Sequence, residues 1–131
     1  MRKSTVLASA ILLLIITQTI TVLIRTHFSQ LILFNRAAFF GLVNSPVGVL
    51  LVVMAGFLLF WQVFQNSTPT QFAQWGAVLV IVGALSNVID RLLYGAVIDY
   101  IPLLNFSTFN LADVQIILGA LLLSFSPSDK K

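Results

Sequence analysis

The feature that most constrains this chain is the run of residues 5–24, which is strongly apolar and contains no charged side chain. About 20 such residues cross the hydrocarbon core of a bilayer as an α-helix. The 131-residue chain as a whole is 59% hydrophobic and only 8% charged, which is far from the composition of a soluble domain. The sequence therefore predicts a membrane protein, with room for roughly four spans and no separate soluble domain.

Four apolar segments predict four transmembrane helices in a single membrane domain, residues 1–131. The predicted helices cover about residues 5–24, 44–64, 72–91 and 109–126. The first segment is longer than a usual signal-peptide core and no small-residue cleavage site follows it, so we interpret it as a retained helix. Polar residues in this segment are predicted to face a packed helix; they are Thr17, Gln18, Thr19 and Thr21.

Two connecting segments are expected to be non-helical. Residues 25–43 are more polar and form a first external loop, in which His27 is expected to be a solvated surface residue. Residues 92–105 are apolar but are interrupted by Gly95, Asp99 and Pro102. A segment of this kind is irregular or re-entrant, and protein or water must cover its backbone. The predicted fold class is thus an all-α integral membrane protein with this irregular or re-entrant segment between helices three and four.

The distribution of charge predicts the orientation of the chain. Four of the seven basic residues lie at its two ends, namely Arg2, Lys3, Lys130 and Lys131. Positive charge is retained on the cytoplasmic side, and an even number of spans places both termini together. Both termini are therefore expected in the cytoplasm. Because the basic residues form no patch, no nucleic-acid partner is expected.

The residue types in the chain exclude several kinds of site. There is no cysteine and no glutamate, and His27 is the only histidine. A zinc site needs three or four ligands, and a thiolate nucleophile needs cysteine. Disulfides, thiol chemistry and a metal site are therefore not expected, and no cofactor is predicted.

Three of the four aspartates, Asp90, Asp99 and Asp113, lie in the hydrophobic C-terminal half. A carboxylate near the membrane core costs about 2.5 to 3.5 kcal/mol, so a cluster of three requires pairing or function. Asp90 shares a helix face with Asn87 and Arg91, and its simplest interpretation is a structural ion pair with Arg91. Arg91 can instead reach Asp99 or Asp113.

Asp99 and Asp113 flank the irregular segment and are predicted on the outer side of the membrane. Two interpretations stay open on composition alone. The two residues form a structural pair, or they form a catalytic dyad in which one carboxylate takes a proton from water and the other donates to a scissile carbonyl. Asn110 lies three residues before Asp113, where it can cap the last helix and can also orient a catalytic group.

Three sequence blocks, in order and spacing, resemble the signature blocks of bacterial lipoprotein signal peptidase, signal peptidase II. They are GALSNVIDR (residues 83–91), GAVIDY (95–100) and FNLAD (109–113). The similarity is close over residues 83–119. A weaker similarity is FNRAAF (34–39), which resembles the asparagine-containing block before the second helix of that family.

The resemblance implies a four-helix membrane aspartyl endopeptidase that uses Asp99 and Asp113 as its catalytic pair. It implies a prolipoprotein substrate, cut just before a diacylglyceryl-modified cysteine near the outer face of the bacterial cytoplasmic (inner) membrane. Membrane lipids are further partners, globomycin-type cyclic peptides are implied inhibitors, and no metal or cofactor takes part. The residues implied to bind substrate or support the site are Asn35, Asn87, Arg91, Asn110 and Ala112, and those expected to be structural are Gly83, Asp90 and Gly95.

The N-terminal half departs from the family pattern. The first helix of the family usually carries an aspartate and, one turn later, a lysine, where this chain has Thr17 and Thr21. The first external loop, which builds a platform over the site in the family, is short here. These departures keep a second hypothesis open, a catalytically impaired relative that acts as a membrane binding or scaffold protein. A third, a proton or ion translocation subunit, would spread its acidic groups across the membrane, whereas these cluster toward one side.

Overall fold

The structure, a computed structural model, describes residues 3–36, 54, 70–103 and 107–125. This part of the chain is mostly helical and contains the helices α1 (Lys3–His27), α2 (Gln71–Tyr94) and α3 (Leu111–Ser124). A short 3₁₀ helix, Ser29–Leu31, follows α1. Four short strands complete the described part: β1 (Leu33–Asn35), β2 (Val97–Asp99), β3 (Ile101–Leu103) and β4 (Ser107–Phe109).

Two of these helices are long and apolar enough to cross a membrane. Ser4–His27 has a mean hydropathy of 2.4 and Gln71–Tyr94 a mean hydropathy of 1.8, whereas α3 is a shorter apolar helix. The three helices lie where the sequence predicts spans over residues 5–24, 72–91 and 109–126. The predicted helix over residues 44–64 lies outside the described residues, apart from Met54.

The described part of the chain is mostly helical, as predicted, but it also contains strands where the sequence predicts an irregular segment, since residues 97–99 and 101–103 are extended. Gly95 ends α2 in the left-handed conformation, with φ +70°, which glycine adopts without a steric penalty. The segment after Gly95 takes part in two antiparallel strand pairs. Strand β2 pairs with β1, and β3 pairs with β4. A break in a membrane helix requires other partners for its backbone groups, and these short strands supply them.

Helices α2 and α3 pack closely and antiparallel through glycines. A Cβ atom built on Gly76 would lie 2.8 Å from the carbonyl oxygen of Gly119, so neither position has space for a side chain. At the other end of the contact, a Cβ atom on Gly83 would overlap the carbonyl oxygen of Ala112, which is itself buried. Small residues let membrane helices approach in this way. The contact fixes the start of α3 beside the middle of α2.

Helix α1 packs on the other two through polar side chains. Thr17 and Thr21 are buried and Gln18 is partly buried, as the predicted packed face requires, whereas Thr19 is exposed. The Gln115 amide donates to Thr17 Oγ1 at 2.8 Å and joins α1 to α3. At the end of α1, the Arg25 guanidinium lies 4.2 Å from the centre of the Tyr94 ring, which is within cation–π range. The C-terminal ends of α1 and α2 therefore lie on the same side of the molecule.

Candidate active site

Asp99 is held at the end of strand β2 by two asparagine side chains. Its Oδ1 accepts a hydrogen bond from Asn110 Nδ2 and its Oδ2 accepts one from Asn35 Nδ2, each at 2.9 Å. Asn35 lies opposite Val97 in the β1–β2 pair and therefore diagonal to Asp99, which brings the two side chains within reach. Asp99 is only 2% exposed, so both of its oxygens are held by donors inside the protein.

Asp113 lies in the first turn of α3, where it closes a capping box with Asn110. The Asp113 N–H donates to Asn110 Oδ1 at 2.9 Å, and the Asn110 N–H donates to Asp113 Oδ2 at 3.3 Å. From α2, Asn87 Nδ2 donates to Asp113 Oδ1 at 2.9 Å. In contrast to Asp99, Asp113 is only partly buried. Its position is thus fixed by both the helix terminus and the neighbouring helix.

Asn110 joins the two aspartates into one network. Its Nδ2 donates both to Asp99 Oδ1 at 2.9 Å and to Asn87 Oδ1 at 3.1 Å. Asn87 in turn donates to Asp113, so a continuous line of hydrogen bonds runs from Asp99 to Asp113. Asn110 is 2% exposed, and the sequence offers it both as a helix cap and as an orienting group. In the structure it caps α3 and also donates a hydrogen bond to Asp99.

Arg91 lies beside this network and contacts the backbone of Asn87. Its Nη1 donates to the backbone oxygen of Asn87 at 3.3 Å. Its positive charge acts on the carboxylates of Asp113, Asp99 and Asp90. Within the described ranges no direct ion pair of Arg91 with Asp90 forms, which differs from the simplest expectation for these two residues. The guanidinium instead provides positive charge shared by three carboxylates.

Asp90 accepts hydrogen bonds from neutral donors. Its Oδ1 accepts from Gln18 Nε2 at 3.3 Å, and its Oδ2 accepts from the backbone N–H of Ile98 at 3.4 Å. Asp90 is 2% exposed. Successive residues on an α-helix point about 100° apart, which places the side chains of Asp90 and Arg91 on different faces.

The environment of Asp99 changes its proton affinity. Burial raises the pKa of Asp99 above the ordinary value, and the negative charge of Asp113 adds to this rise. Hydrogen bonds from Asn35 and Asn110 and the charge of Arg91 act on the pKa in the opposite direction. Two neighbouring carboxylates in such a site share protons as a pair. Within this network one carboxyl group can therefore hold a proton while the other carries a negative charge.

Sequence reasoning assigned no site role to Tyr100, and for Gln18 it predicted only a packed helix face. Tyr100 is nearly buried, and its hydroxyl accepts a hydrogen bond from the N–H of Leu111 at 3.2 Å, at the start of α3. Gln18 reaches Asp90 from the first helix. A glutamine within an apolar span is a detectable signal, but its partner 72 positions along the chain is not visible in the sequence. For Tyr100 the only signal is its position directly after Asp99.

Comparisons with known proteins identify the family of this chain. A family profile described as Signal peptidase (SPase) II matches residues 3–127. The chain is 39% identical over 102 residues to the lipoprotein signal peptidase of Brucella ovis, an alignment that covers 75% of this chain and 61% of that protein. The lipoprotein signal peptidase of Brucella suis gives the same values. The chain thus spans less than two thirds of the length of these curated relatives.

Two solved structures share the fold. A bacterial membrane enzyme determined by the in meso method at 2.3 Å resolution has a TM-score of 0.74 and 20% identity, covering 99% of this chain and 95% of that chain. A second, at 1.9 Å resolution, has a TM-score of 0.76 and 22% identity, covering 94% of this chain and 92% of that chain. At these identities the likeness concerns the fold, which is that of a membrane protein.

Proposed function

Because this chain belongs to the signal peptidase II family, we propose that it is a membrane aspartyl endopeptidase that removes signal peptides from prolipoproteins. The observation that carries the proposal is the line of hydrogen bonds joining Asp99 to Asp113 through Asn110 and Asn87. It supports a role for the two aspartates as one catalytic unit. Asn35, Asn110 and Asn87 orient the carboxylates, and Arg91 balances their charge.

The proposed reaction divides acid and base work between the two aspartates. The ionised carboxylate takes a proton from a water molecule, whose oxygen attacks the scissile carbonyl carbon. The protonated carboxyl group donates its proton to the carbonyl oxygen. As the tetrahedral intermediate collapses and the C–N bond breaks, the amine leaves with the proton taken from water, and a hydroxyl proton of the intermediate returns to the carboxylate that had donated it. Burial raises the pKa of Asp99, which suits Asp99 to hold the shared proton, while the partly exposed Asp113 is open to water.

The proposed substrate carries a diacylglyceryl group on the cysteine that follows the cleaved bond. Apolar side chains beside the site support this choice, since Leu33 and Phe34 precede Asn35 in β1 and are 59% and 55% exposed. Exposed apolar side chains at the end of a membrane span suit acyl chains and membrane lipids. Globomycin-type cyclic peptides are proposed to inhibit cleavage by binding where the acyl chains of the substrate would bind.

We further propose a multi-pass topology of four spans in the bacterial cytoplasmic membrane, with both termini in the cytoplasm. The aspartate network lies near the C-terminal ends of α1 and α2, so it is on the opposite side from the start of α1. Cysteines introduced singly into this cysteine-free chain test the orientation. We expect Gln30→Cys to react with an impermeant maleimide in intact cells and Ser4→Cys to react only after lysis. Labelling of Ser4→Cys in intact cells would contradict the proposal.

Cleavage by the purified protein in detergent tests the activity. The substrate is a synthetic prolipoprotein peptide with a diacylglyceryl cysteine, and mass spectrometry identifies the products. We expect one cut, leaving the modified cysteine as the new N-terminus, and no cut in the same peptide with a free cysteine. A folded protein that binds the lipidated peptide without cutting it would instead favour the scaffold hypothesis.

A further inference from the structure

The side chain of Gln18 connects the middle of α1 to a polar strip on α2. Its Nε2 amide donates to Ser86 Oγ at 2.9 Å, to the Ser86 backbone oxygen at 3.2 Å and to Asp90 Oδ1 at 3.3 Å. Ser86 and Asp90 lie one turn apart on α2 and are 1% and 2% exposed. Gln18 therefore supplies N–H donors to buried acceptors within a membrane-crossing helix pair.

Asp90 connects this contact to the strand that carries Asp99. While Oδ1 of Asp90 accepts from Gln18, Oδ2 accepts from the backbone N–H of Ile98 at 3.4 Å. Ile98 is completely buried and immediately precedes Asp99 in β2. One carboxylate thus ties α1 to β2, using a separate oxygen for each partner.

The buried carboxylate of Asp90 keeps this orientation only while hydrogen-bond donors satisfy both of its oxygens. A polar or charged group deprived of its donor inside a membrane protein is strongly destabilising, so the group turns to other donors or takes up a proton. Within the described chain, Gln18 is the side chain that donates to Asp90. Its loss would therefore change the orientation or charge of Asp90 and weaken the bond to Ile98. Asp99, as the next residue, would move with the strand.

We propose that Gln18 is a positioning residue for the reaction, which acts through Asp90 and the backbone of Ile98 to hold Asp99 in place. The inference rests on the proposed function, in which Asp99 is catalytic. Gln18 bonds to neither Asp99 nor Asp113, so its contribution should appear in kcat and not in KM. A displacement of a catalytic group of about 1 Å can cost up to about a hundredfold in rate.

Thr17 offers a matched control in the adjacent position. It also makes a buried hydrogen bond between helices, accepting from Gln115 Nε2 at 2.8 Å. That bond joins α1 to α3, and no hydrogen bond in the described part of the chain leads from Thr17 to β2. Loss of either side chain should therefore reduce stability, but only loss of Gln18 should loosen β2.

The experiment compares Gln18→Met with Thr17→Val in the full chain in detergent. Methionine preserves the length of the side chain without its amide. For Gln18→Met we expect kcat to fall about tenfold or more with KM changed less than about twofold. Hydrogen–deuterium exchange of the Ile98 amide should also become at least about tenfold faster in this variant, because its acceptor is disturbed. Thr17→Val should keep the kcat and the Ile98 exchange rate of the parent protein.

The outcomes separate this inference from the proposed function. If the parent protein cleaves and Gln18→Met keeps both kcat and slow exchange at Ile98, the positioning role is wrong and the proposed function stands. Equal changes in Gln18→Met and Thr17→Val would likewise overturn the positioning role. If the parent protein does not cleave, the proposed function fails, and the Ile98 exchange rate alone decides whether Gln18 holds β2. Gln18→Leu serves as the second variant if Gln18→Met does not fold.

Discussion

Asp99→Asn and Asp113→Asn should each abolish prolipoprotein cleavage while leaving the protein folded. Asparagine preserves the shape of the side chain but can neither carry the negative charge that deprotonates water nor release an acidic proton. We expect kcat to fall by about a thousandfold or more in each variant, as for other residues that act as a catalytic unit. The measurements are kcat at saturating lipidated substrate and the melting temperature in detergent.

The double variant and a matched control make this test specific. Asp99→Asn combined with Asp113→Asn should lose little more than either single variant, because the two residues act together. Asp129→Asn, a change of the same kind in the C-terminal tail outside the described residues, should keep normal cleavage. Near-normal cleavage by a well-folded Asp99→Asn or Asp113→Asn protein would refute the catalytic pair and favour the scaffold hypothesis.

Gly83→Ala should reduce both stability and activity, although it adds only one methyl group. The new Cβ atom would overlap the backbone oxygen of Ala112 and lie 2.8 Å from Ile116 Cγ1. Because backbone cannot turn away as a side chain can, α2 and α3 must separate, at a cost of about 1–3 kcal/mol in the free energy of unfolding. Separation would also stretch the 2.9 Å bond from Asn87 to Asp113, so kcat should fall about tenfold.

The control for Gly83→Ala is Leu85→Ala on the same helix. Leu85 is 37% exposed, so its truncation should change the free energy of unfolding and kcat only slightly. Reversible unfolding in denaturing detergent measures stability, and the cleavage assay measures kcat. If Gly83→Ala kept the stability and the kcat of the parent protein, the close contact of α2 with α3 would not hold the site together.

The features that sequence predicts well depend on local patterns. Long apolar runs indicate the helices, because a helix satisfies its own backbone hydrogen bonds in the hydrocarbon core of a bilayer. The spacing of Asn110 and Asp113 identifies a helix start, and both residues form the capping box in the structure. The cluster of aspartates is conspicuous because carboxylates are costly in such a chain. The family resemblance rests on these same blocks, and the comparisons confirm it.

Other features depend on contacts between distant parts of the chain. Strands of three residues have too little sequence to show a periodic pattern, and β2 is defined by its pairing with β1, more than 60 residues earlier. Spacing on a helix suggested an ion pair of Asp90 with Arg91, yet Asp90 turns toward Gln18 and Ile98. A local pattern cannot identify these partners, since tertiary packing selects them.

The pH dependence of kcat shows whether Asp99 and Asp113 work as one acid–base pair with a single shared proton. Below the lower apparent pKa both carboxyls are protonated and no base remains, and above the higher one both are ionised and no acid remains. We predict a bell-shaped profile. Its alkaline limb should lie above the ordinary aspartate value of 3.8, because burial and the charge of Asp113 raise the pKa of Asp99. A single acid limb near that ordinary value, followed by a constant kcat while the protein stays folded, would show that the two aspartates do not share a catalytic proton.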